Sequence, residues 1–330
     1  MHYDDLSAKK SELDGLRPFS GELEADLSRK MMLELACTEN GFEGVSFTRR
    51  ETSLILFDDE TVPGRRLTEH IRTRNVAKAF SVISEMAKTV RSVDENDVKN
   101  IHRIIVRGLD DDNAGVYRGI PLTFGGGSSE PMPDPFRVSK LMDEFGLWLY
   151  TVMTLHPVGF AAEAHLRLMA VQPFTSGNSH TARMFMNLLL LKEGYPPVLF
   201  SRREKKEYWD SLEKAVFKND RKDYDRLIYR AVNRALDFYL KAGRANKTAG
   251  VDMESEPYFL QIGKLAKETG ERVSTLRYWT SLNLLETAGK TSADYTLYSS
   301  EVIPKIKRLK ELKEQRYTLD EIRNIMQSDA

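Results

Sequence analysis

The most constraining feature of the chain is a junction at residues 171–187. A polar loop containing Gly177-Asn178 opens directly onto a strongly apolar helix that begins Thr181-Ala182-Arg183-Met184-Phe185-Met186-Asn187. Gly177 reaches positive φ without steric cost, and Asn178 tolerates it. Successive backbone N–H groups in such a turn form an anion nest, and the following helix N-terminus adds partial positive charge. Arg183 lies one to two turns into that helix and is placed to face the same anion. Two readings stay open on these grounds. One is an anion site; the other is an ordinary capping loop with a structural arginine, because Gly-Asn before a helix is common.

Around this junction the pattern is helical. Leu23, Leu27, Met31 and Leu35 recur every four residues, which predicts an amphipathic helix over residues 22–39. A similar pattern covers residues 68–93, and residues 95–109 follow with Asp94 or Asn96 as cap. Residues 110–115 read as a turn and 116–124 as a short extended stretch. Gly125-Gly126-Gly127 and Pro131, Pro133, Pro135 then mark a loop or hairpin. From 136 to 240 the chain is helical again, broken at His156-Pro157, at 172–179 and at Gly194-Tyr195-Pro196-Pro197. Residues 241–257 have little periodicity and read as a linker. A compact segment, 258–330, completes the chain. The expected fold class is mainly α: a helical domain over 1–240 with a β-hairpin flap, plus a small winged helix-turn-helix domain.

Composition limits the functional classes. The 330 residues carry 49 Lys+Arg and 49 Asp+Glu, so bulk charge does not make this a nucleic-acid coat. No apolar run of about 18 residues predicts a membrane span. The N-terminus, Met1-His2-Tyr3-Asp4-Asp5, does not read as a signal peptide. Cys37 is the one cysteine, so neither an intrachain disulfide nor a cysteine-rich zinc site is expected. The expected location is the cytoplasm.

The loop sequence Gln172-Pro173-Phe174-Thr175-Ser176-Gly177-Asn178-Ser179-His180-Thr181-Ala182-Arg183 resembles the Fic (Fido) motif, His-Pro-Phe-x-(Asp/Glu)-Gly-Asn-Gly-(Arg/Lys)-x-x-Arg. Three further segments resemble the same family in the same order. Gly115-Val116-Tyr117-Arg118 with the Gly/Pro-rich loop is similar to its substrate-positioning flap. His156-Pro157 and Ala164-His165-Leu166-Arg167 resemble the helix before the motif. Gly194-Tyr195-Pro196-Pro197 and Tyr208-Trp209-Asp210-Ser211-Leu212 resemble the segment after it. The resemblance covers about residues 25–240 and implies a Fic-type fold and protein AMPylation as the ancestral chemistry.

The departures fall on the chemistry. The resemblance places the general base at Gln172, whose amide takes up no proton near neutral pH. It places the Mg²⁺-holding carboxylate at Ser176, a neutral and weak ligand for a hard cation. The second glycine is Ser179, and the first cation is His180. A positioned base is worth roughly 10²–10⁴-fold in rate, so transfer at a family-like rate is not expected. Gly177, Asn178, Ser179, His180 and Arg183 remain candidates to hold ATP or another nucleotide without a firm Mg²⁺ site. No metal site is expected. Many Fic proteins also carry an inhibitory helix, (Ser/Thr)-x-x-x-Glu-(Gly/Asn), whose Glu pairs with the last motif arginine. Glu51 is taken as its counterpart, implying a Glu51–Arg183 ion pair.

In the C-terminal segment, Ile262, Leu265 and Ala266 share one helix face and Gly270 ends that helix. Ser274 or Thr275 caps the next, which keeps Leu276 and Trp279 inward and turns Thr275, Arg277 and Tyr278 outward. Residues 284–298 read as a β-wing, and helices are expected near 299–314 and 318–327. The segment resembles the MerR DNA-binding domain over about residues 260–326. The matching pieces are Ile262-Gly263-Lys264-Leu265-Ala266, Thr275-Leu276-Arg277-Tyr278-Trp279 and Tyr317-Thr318-Leu319-Asp320-Glu321-Ile322. The family's Gly-Tyr-Arg wing is Asp294-Tyr295-Thr296 here, with Lys290 supplying charge nearby. The resemblance implies double-stranded DNA as partner, read by Ser274, Thr275, Arg277, Tyr278, Lys290 and Tyr295. Residues 258–330 carry 12 basic against 10 acidic side chains, a modest excess for a DNA binder. MerR regulators dimerise through a long C-terminal coil that this sequence does not extend into, so a homodimer is expected through the Fic-like domain. The readings are a DNA-binding regulator with a degenerate Fic domain as scaffold, dimerisation unit or nucleotide sensor, a divergent Fic nucleotidyltransferase, or a protein-interaction module.

Overall fold

The computed structural model describes residues 3–42, 44–45, 47–125, 127–151, 155–249, 259–290, 295–315, 317, 321–322 and 325. They form two compact units. The first comprises Met1–Phe47 and Arg66–Met253, the second Thr48–Arg65 and Glu254–Ala330. The expected boundary kept 48–65 with the N-terminal domain, whereas the structure groups that excursion with the C-terminal unit.

The first unit is helical. Its elements are α1 (Asp4–Gly15) and α2 (Gly21–Phe42) before the excursion, which contributes α3 (Arg49–Phe57) to the second unit. There follow α4 (Leu67–Ala87), α5 (Glu95–Val106), α6 (Pro135–Thr151), α7 (Pro157–Val171), α8 (Asn178–Lys192), a short 3₁₀ turn at Arg202–Glu204, α9 (Lys205–Phe217) and α10 (Lys222–Ala249). The apolar helix of the sequence is the centre. From His180 through Leu190 every residue of α8 is buried, and α4, α5 and α7 pack around it. A helix apolar all round has no face to give to solvent and belongs inside a bundle. Its inward Asn187 is satisfied by the returning chain, accepting from Val198 N–H at 2.8 Å and donating to Val198 C=O at 3.1 Å.

The punctuation follows the local chemistry. Asp94 caps α5 through a capping box with Asp97. Pro157 opens α7, where its missing N–H costs nothing, and His156 accepts from Val158 N–H. The flap is narrower than a full hairpin. Among the described residues its strands meet at one bridge, Thr123 with Pro131, flanked by Phe124 N–H to Glu130 C=O at 2.8 Å and Met132 N–H to Leu122 C=O at 2.9 Å.

The linker needs correction at its start. α10 runs to Ala249, so residues 241–249 are helix; the remaining 250–257 lie outside the described residues. Ala242, Phe238 and Tyr239 pack with Leu23, Leu27 and Phe19. Gly243, which falls in the expected linker, marks a close approach instead. A Cβ there would stand 2.9 Å from Phe19 Cε1 and 3.0 Å from Leu16 Cδ1.

The second unit is built on a three-stranded antiparallel sheet in the order β1-β3-β2, with β1 at Phe259–Gln261, β2 at Gly289–Lys290 and β3 at Thr296–Ser299. Leu260 faces Tyr298 and Lys290 faces Thr296 across the ladders. The wing strand expected at 295–298 forms as β3, but its partner β2 lies within the stretch 287–294 expected as loop, and the three-residue β1 is not expected from the pattern. Helices α11 (Ile262–Thr269), α12 (Val273–Ser281) and α13 (Val302–Glu314) close one core around Leu265, Leu276, Trp279 and Ile306. Gly270 ends α11 at φ 69, as expected. The excursion helix α3 belongs to this unit through Arg50, which donates to Lys290 C=O at 2.9 Å and lies 5.4 Å from the Phe259 ring centre. Most of the helix expected near 318–327 lies outside the described residues, but Ile322 is fully buried in the same core.

Candidate functional site

The motif loop is held by its own side chain and by two neighbours. Gly177 caps α8 at φ 69, and Asn178 bridges the loop, accepting from Phe174 N–H at 2.9 Å and donating to Phe174 C=O at 2.7 Å. His102 of α5 stacks on Phe174 at 3.7 Å between ring centres. Its Nδ1 accepts from Gly115 N–H at 2.9 Å, so the ring proton sits on Nε2 and is donated to Ser176 C=O at 3.0 Å. One neutral imidazole thus ties the loop to the start of the flap. Burial pushes its pKa down to about 4, against the Ser176 carbonyl.

The flap is anchored by Arg118, a buried cation engaged entirely with backbone. Its Nε donates to Gln172 C=O at 2.8 Å, Nη1 to Ile120 C=O at 2.9 Å and Nη2 to Pro133 C=O at 2.6 Å. Gln172, at the base position, ends α7 in the left-handed region at φ 43. Its side chain is buried, and Nε2 has no hydrogen-bond partner. Ser176 is exposed, while Ser179 is half-buried.

Arg183 does not face an open anion site. It is buried, and its guanidinium is closed on Glu39 of α2: Nε donates to Oε1 at 2.8 Å and Nη2 to Oε2. The guanidinium also stacks over Phe42 at 4.7 Å, and Nη1 donates to Tyr208 OH at 3.2 Å. His180 Nε2 lies 3.2 Å from the same Glu39 carboxylate. Burial alone would raise the Glu39 carboxyl, but the charge and hydrogen bonds of Arg183, with His180 beside it, hold it below its ordinary value. Burial likewise opposes the Arg183 charge and Glu39 outweighs it, so the pair is ionised.

From Arg183 a polarised chain runs across the bundle. Tyr224 donates its hydroxyl proton to Ala162 C=O at 2.8 Å, so His165 Nδ1 must donate to Tyr224 OH at 2.9 Å. That leaves His165 Nε2 to accept from Tyr208 OH at 2.9 Å. His165 is accordingly neutral, with burial and then the Arg183 charge pushing its pKa down to about 3.

The pairing expected of Glu51 is therefore overturned. Glu51 belongs to the capping box of α3, accepting from Thr48 N–H at 2.7 Å and Thr48 OH at 2.9 Å. The partner of Arg183 is Glu39, followed by Asn40 as in the Glu-(Gly/Asn) pattern, with Leu35 in the Ser/Thr place. The signal was present: Leu23, Leu27, Met31 and Leu35 form a buried row at intervals of four, and the next member is a glutamate. A carboxylate on a buried stripe requires a buried cation.

The residues do not fit the group that Fic chemistry implies. Ser176 offers one neutral hydroxyl for Mg²⁺, and among the described residues no three His, Cys, Asp or Glu side chains cluster as a metal site. The motif arginine that would meet a phosphate is held by Glu39, and Asn178 is engaged within its own loop.

In the second unit, Leu276 and Trp279 of α12 point inward, while Ser274, Arg277 and Tyr278 are exposed and Thr275 is half-buried. Neither Ser274 nor Thr275 caps the helix, because α12 begins at Val273 behind Arg272 and both lie inside its first turn. Lys290 and Tyr295 are exposed on the wing. The segment between them, 291–294, lies outside the described residues.

Comparison with known proteins agrees with both geometries. The Fic/DOC family matches residues 92–190, and the MerR HTH family of regulatory proteins matches residues 260–329. The chain combines a Fic/DOC domain with a MerR-type helix-turn-helix. The protein adenylyltransferase Fic of Drosophila melanogaster is 30% identical over 243 residues, covering 72% of this chain and 48% of the relative. That of Nematostella vectensis is 31% identical over 204 residues, covering 61% and 47%. The chain thus spans about half the length of these relatives. Among solved structures, Fic-1 (residues 134–508) from C. elegans aligns with TM-score 0.64 at 24% identity, over 72% of this chain and 70% of that one. A Fic-domain signalling protein from Bacteroides thetaiotaomicron gives 0.66 at 23% identity, over 76% and 99%. These likenesses establish the Fic fold. Among the described residues no helix is long and apolar enough to cross a membrane.

Proposed function

We propose that this protein is a cytoplasmic, homodimeric DNA-binding regulator whose Fic domain serves as a scaffold and not as a transferase. The observation that carries this reading is the outward row of α12. Arg277, Tyr278 and Ser274 are solvent-exposed over a helix fixed from behind by Leu276 and Trp279. Arginine and short polar groups are what a major-groove reader needs. The wing side chains Lys290 and Tyr295 add backbone contacts. Two copies would place two recognition helices on half-sites.

For the Fic domain, a buried Gln172 amide at the base position and Ser176 at the carboxylate position support a scaffold. Gln172 removes proton abstraction and Ser176 removes firm metal binding, two losses in one transition state. Gly177, Asn178, Ser179, His180 and Arg183 would act as a nucleotide sensor only after Glu39 releases Arg183. A second reading, a divergent nucleotidyltransferase with ATP as donor, is favoured by the relatives, which are named protein adenylyltransferase Fic.

Selection of duplexes from a random double-stranded pool, followed by gel shift with Arg277→Ala, tests the first reading. A selected sequence that the variant binds less tightly supports it. Failure to select any sequence, or binding unchanged by the substitution, would sink it.

A further inference from the structure

The homodimer reading leaves open which face pairs, and α6 carries a pattern that answers it. Its inward side is Val138, Met142, Phe145 and Trp148. Its opposite side presents Phe136, Lys140, Asp143, Leu147 and Tyr150, all exposed, at spacings of three and four that keep them on one stripe. Three of the five are large and apolar: Phe136 is 96% exposed, Leu147 65% and Tyr150 57%. The stripe thus carries large apolar side chains at its two ends and one charge of each sign at its centre.

The stripe is complementary to itself. Lay a second copy of α6 antiparallel, with the two-fold axis passing between Leu141 and Met142. Phe136 then falls level with Leu147 of the second copy, and Lys140 level with its Asp143. Both pairs occur twice, as an isologous interface requires. Helical side chains lean toward their own N-terminus. In an antiparallel pair Phe136 therefore leans past Leu147 toward Tyr150 of the second copy. Tyr150, with Leu149, Leu155 and Phe160, lines a cavity of about 500 Å³ beside the end of the stripe. Ser92, Lys192 and Glu193 line it too, so an aromatic ring arriving there meets apolar side chains on one side and polar ones on the other. The charges favour this occupant as well. A parallel arrangement would set Lys140 against Lys140 and Asp143 against Asp143, whereas the antiparallel one pairs opposite signs.

We propose that α6 is the self-association face of this protein, pairing antiparallel with α6 of a second copy through Phe136–Leu147 and Lys140–Asp143. This deepens the homodimer reading by naming its surface.

Sedimentation equilibrium on the full chain tests it. The native chain is expected to dimerise. Lys140→Asp and Asp143→Lys, each alone, set like charges opposite each other at two places and are expected to weaken the dimer by about tenfold or more. Mixed in equal amounts, the two variants are expected to form a heterodimer at native strength, because every pair is then of opposite sign. Phe136→Ser, which removes an exposed side chain and keeps the backbone N–H that bonds Asp134, is expected to weaken association by about tenfold to a hundredfold. A dimer that none of these changes weakens would leave the homodimer standing and overturn α6 as its face. A chain monomeric at all concentrations would overturn both. Weakening by each charge variant without recovery on mixing would overturn the antiparallel register.

Discussion

The two regions with functional motifs treat their polar side chains in opposite ways. In the Fic unit, Arg183, Glu39, His165, Tyr208 and Asn178 are engaged with other protein groups, most of them out of reach of solvent. In the helix-turn-helix unit, Arg277, Tyr278 and Ser274 are exposed. A buried network that satisfies its own donors and acceptors fixes a core. An exposed row over a rigid backing is available to a partner. On the proposed function, the first set serves stability and the second recognition.

Glu39→Ala should break the comparison most severely, since it leaves the Arg183 cation buried and unpaired. A loss of about 3–5 kcal/mol in unfolding free energy is expected by denaturant titration. A loss below about 1 kcal/mol would mean that the pair is solvated and the site open.

Acid should act on the same unit. His102 and His165 have folded pKa values pushed to about 4 and about 3, below the ordinary 6.5. The unfolded chain therefore binds protons first. Their contribution is complete above pH 6.5 and is lost as the pH falls toward 4 for His102 and 3 for His165. His102 alone accounts for up to about 3 kcal/mol of that loss. His102→Gln should flatten the stability profile between pH 6.5 and 4, as followed by thermal melts. An unchanged profile would show that this histidine does not titrate as its contacts require.

Arg277→Ala should leave melting unchanged and weaken binding to a selected duplex by about 1–3 kcal/mol. Equal weakening on every sequence would reassign Arg277 to phosphate contact. Thr48→Ala should cost least, about 1 kcal/mol, through the exposed α3 cap. A much larger cost would mean that α3 organises the second unit rather than decorating it.

Much of this was legible beforehand, because the pattern that places a helix also places its buried face. The bundle, the loop at 172–179 and the two helices of the second unit follow from apolar spacing and from glycine and proline punctuation. What escaped were partnerships across the chain. Glu51 resembles the inhibitory glutamate of the family, but Thr48 stands three residues before it and not four, which is the spacing of a helix cap. Glu39 went unread, although it continues the row of Leu27, Met31 and Leu35. His102 was hidden in the same way, on the inward face of α5 beside Val98 and Ile105. Gly243 reads as a linker glycine because sequence alone does not show Phe19 approaching it. Charged or small residues on a buried stripe are the local trace of such distant contacts.

The central claim is that the Fic loop has lost its chemistry and is not merely held shut by Glu39. Transfer of label from α-labelled ATP in the presence of Mg²⁺, measured with the Glu39→Gly protein, tests this most directly because the substitution releases Arg183. The account predicts no more modified protein than with Arg183→Ala, whether the acceptor is the chain itself or a mixture of proteins. Label that appears on releasing Glu39 and disappears with Arg183→Ala would contradict it and make this chain an inhibited transferase.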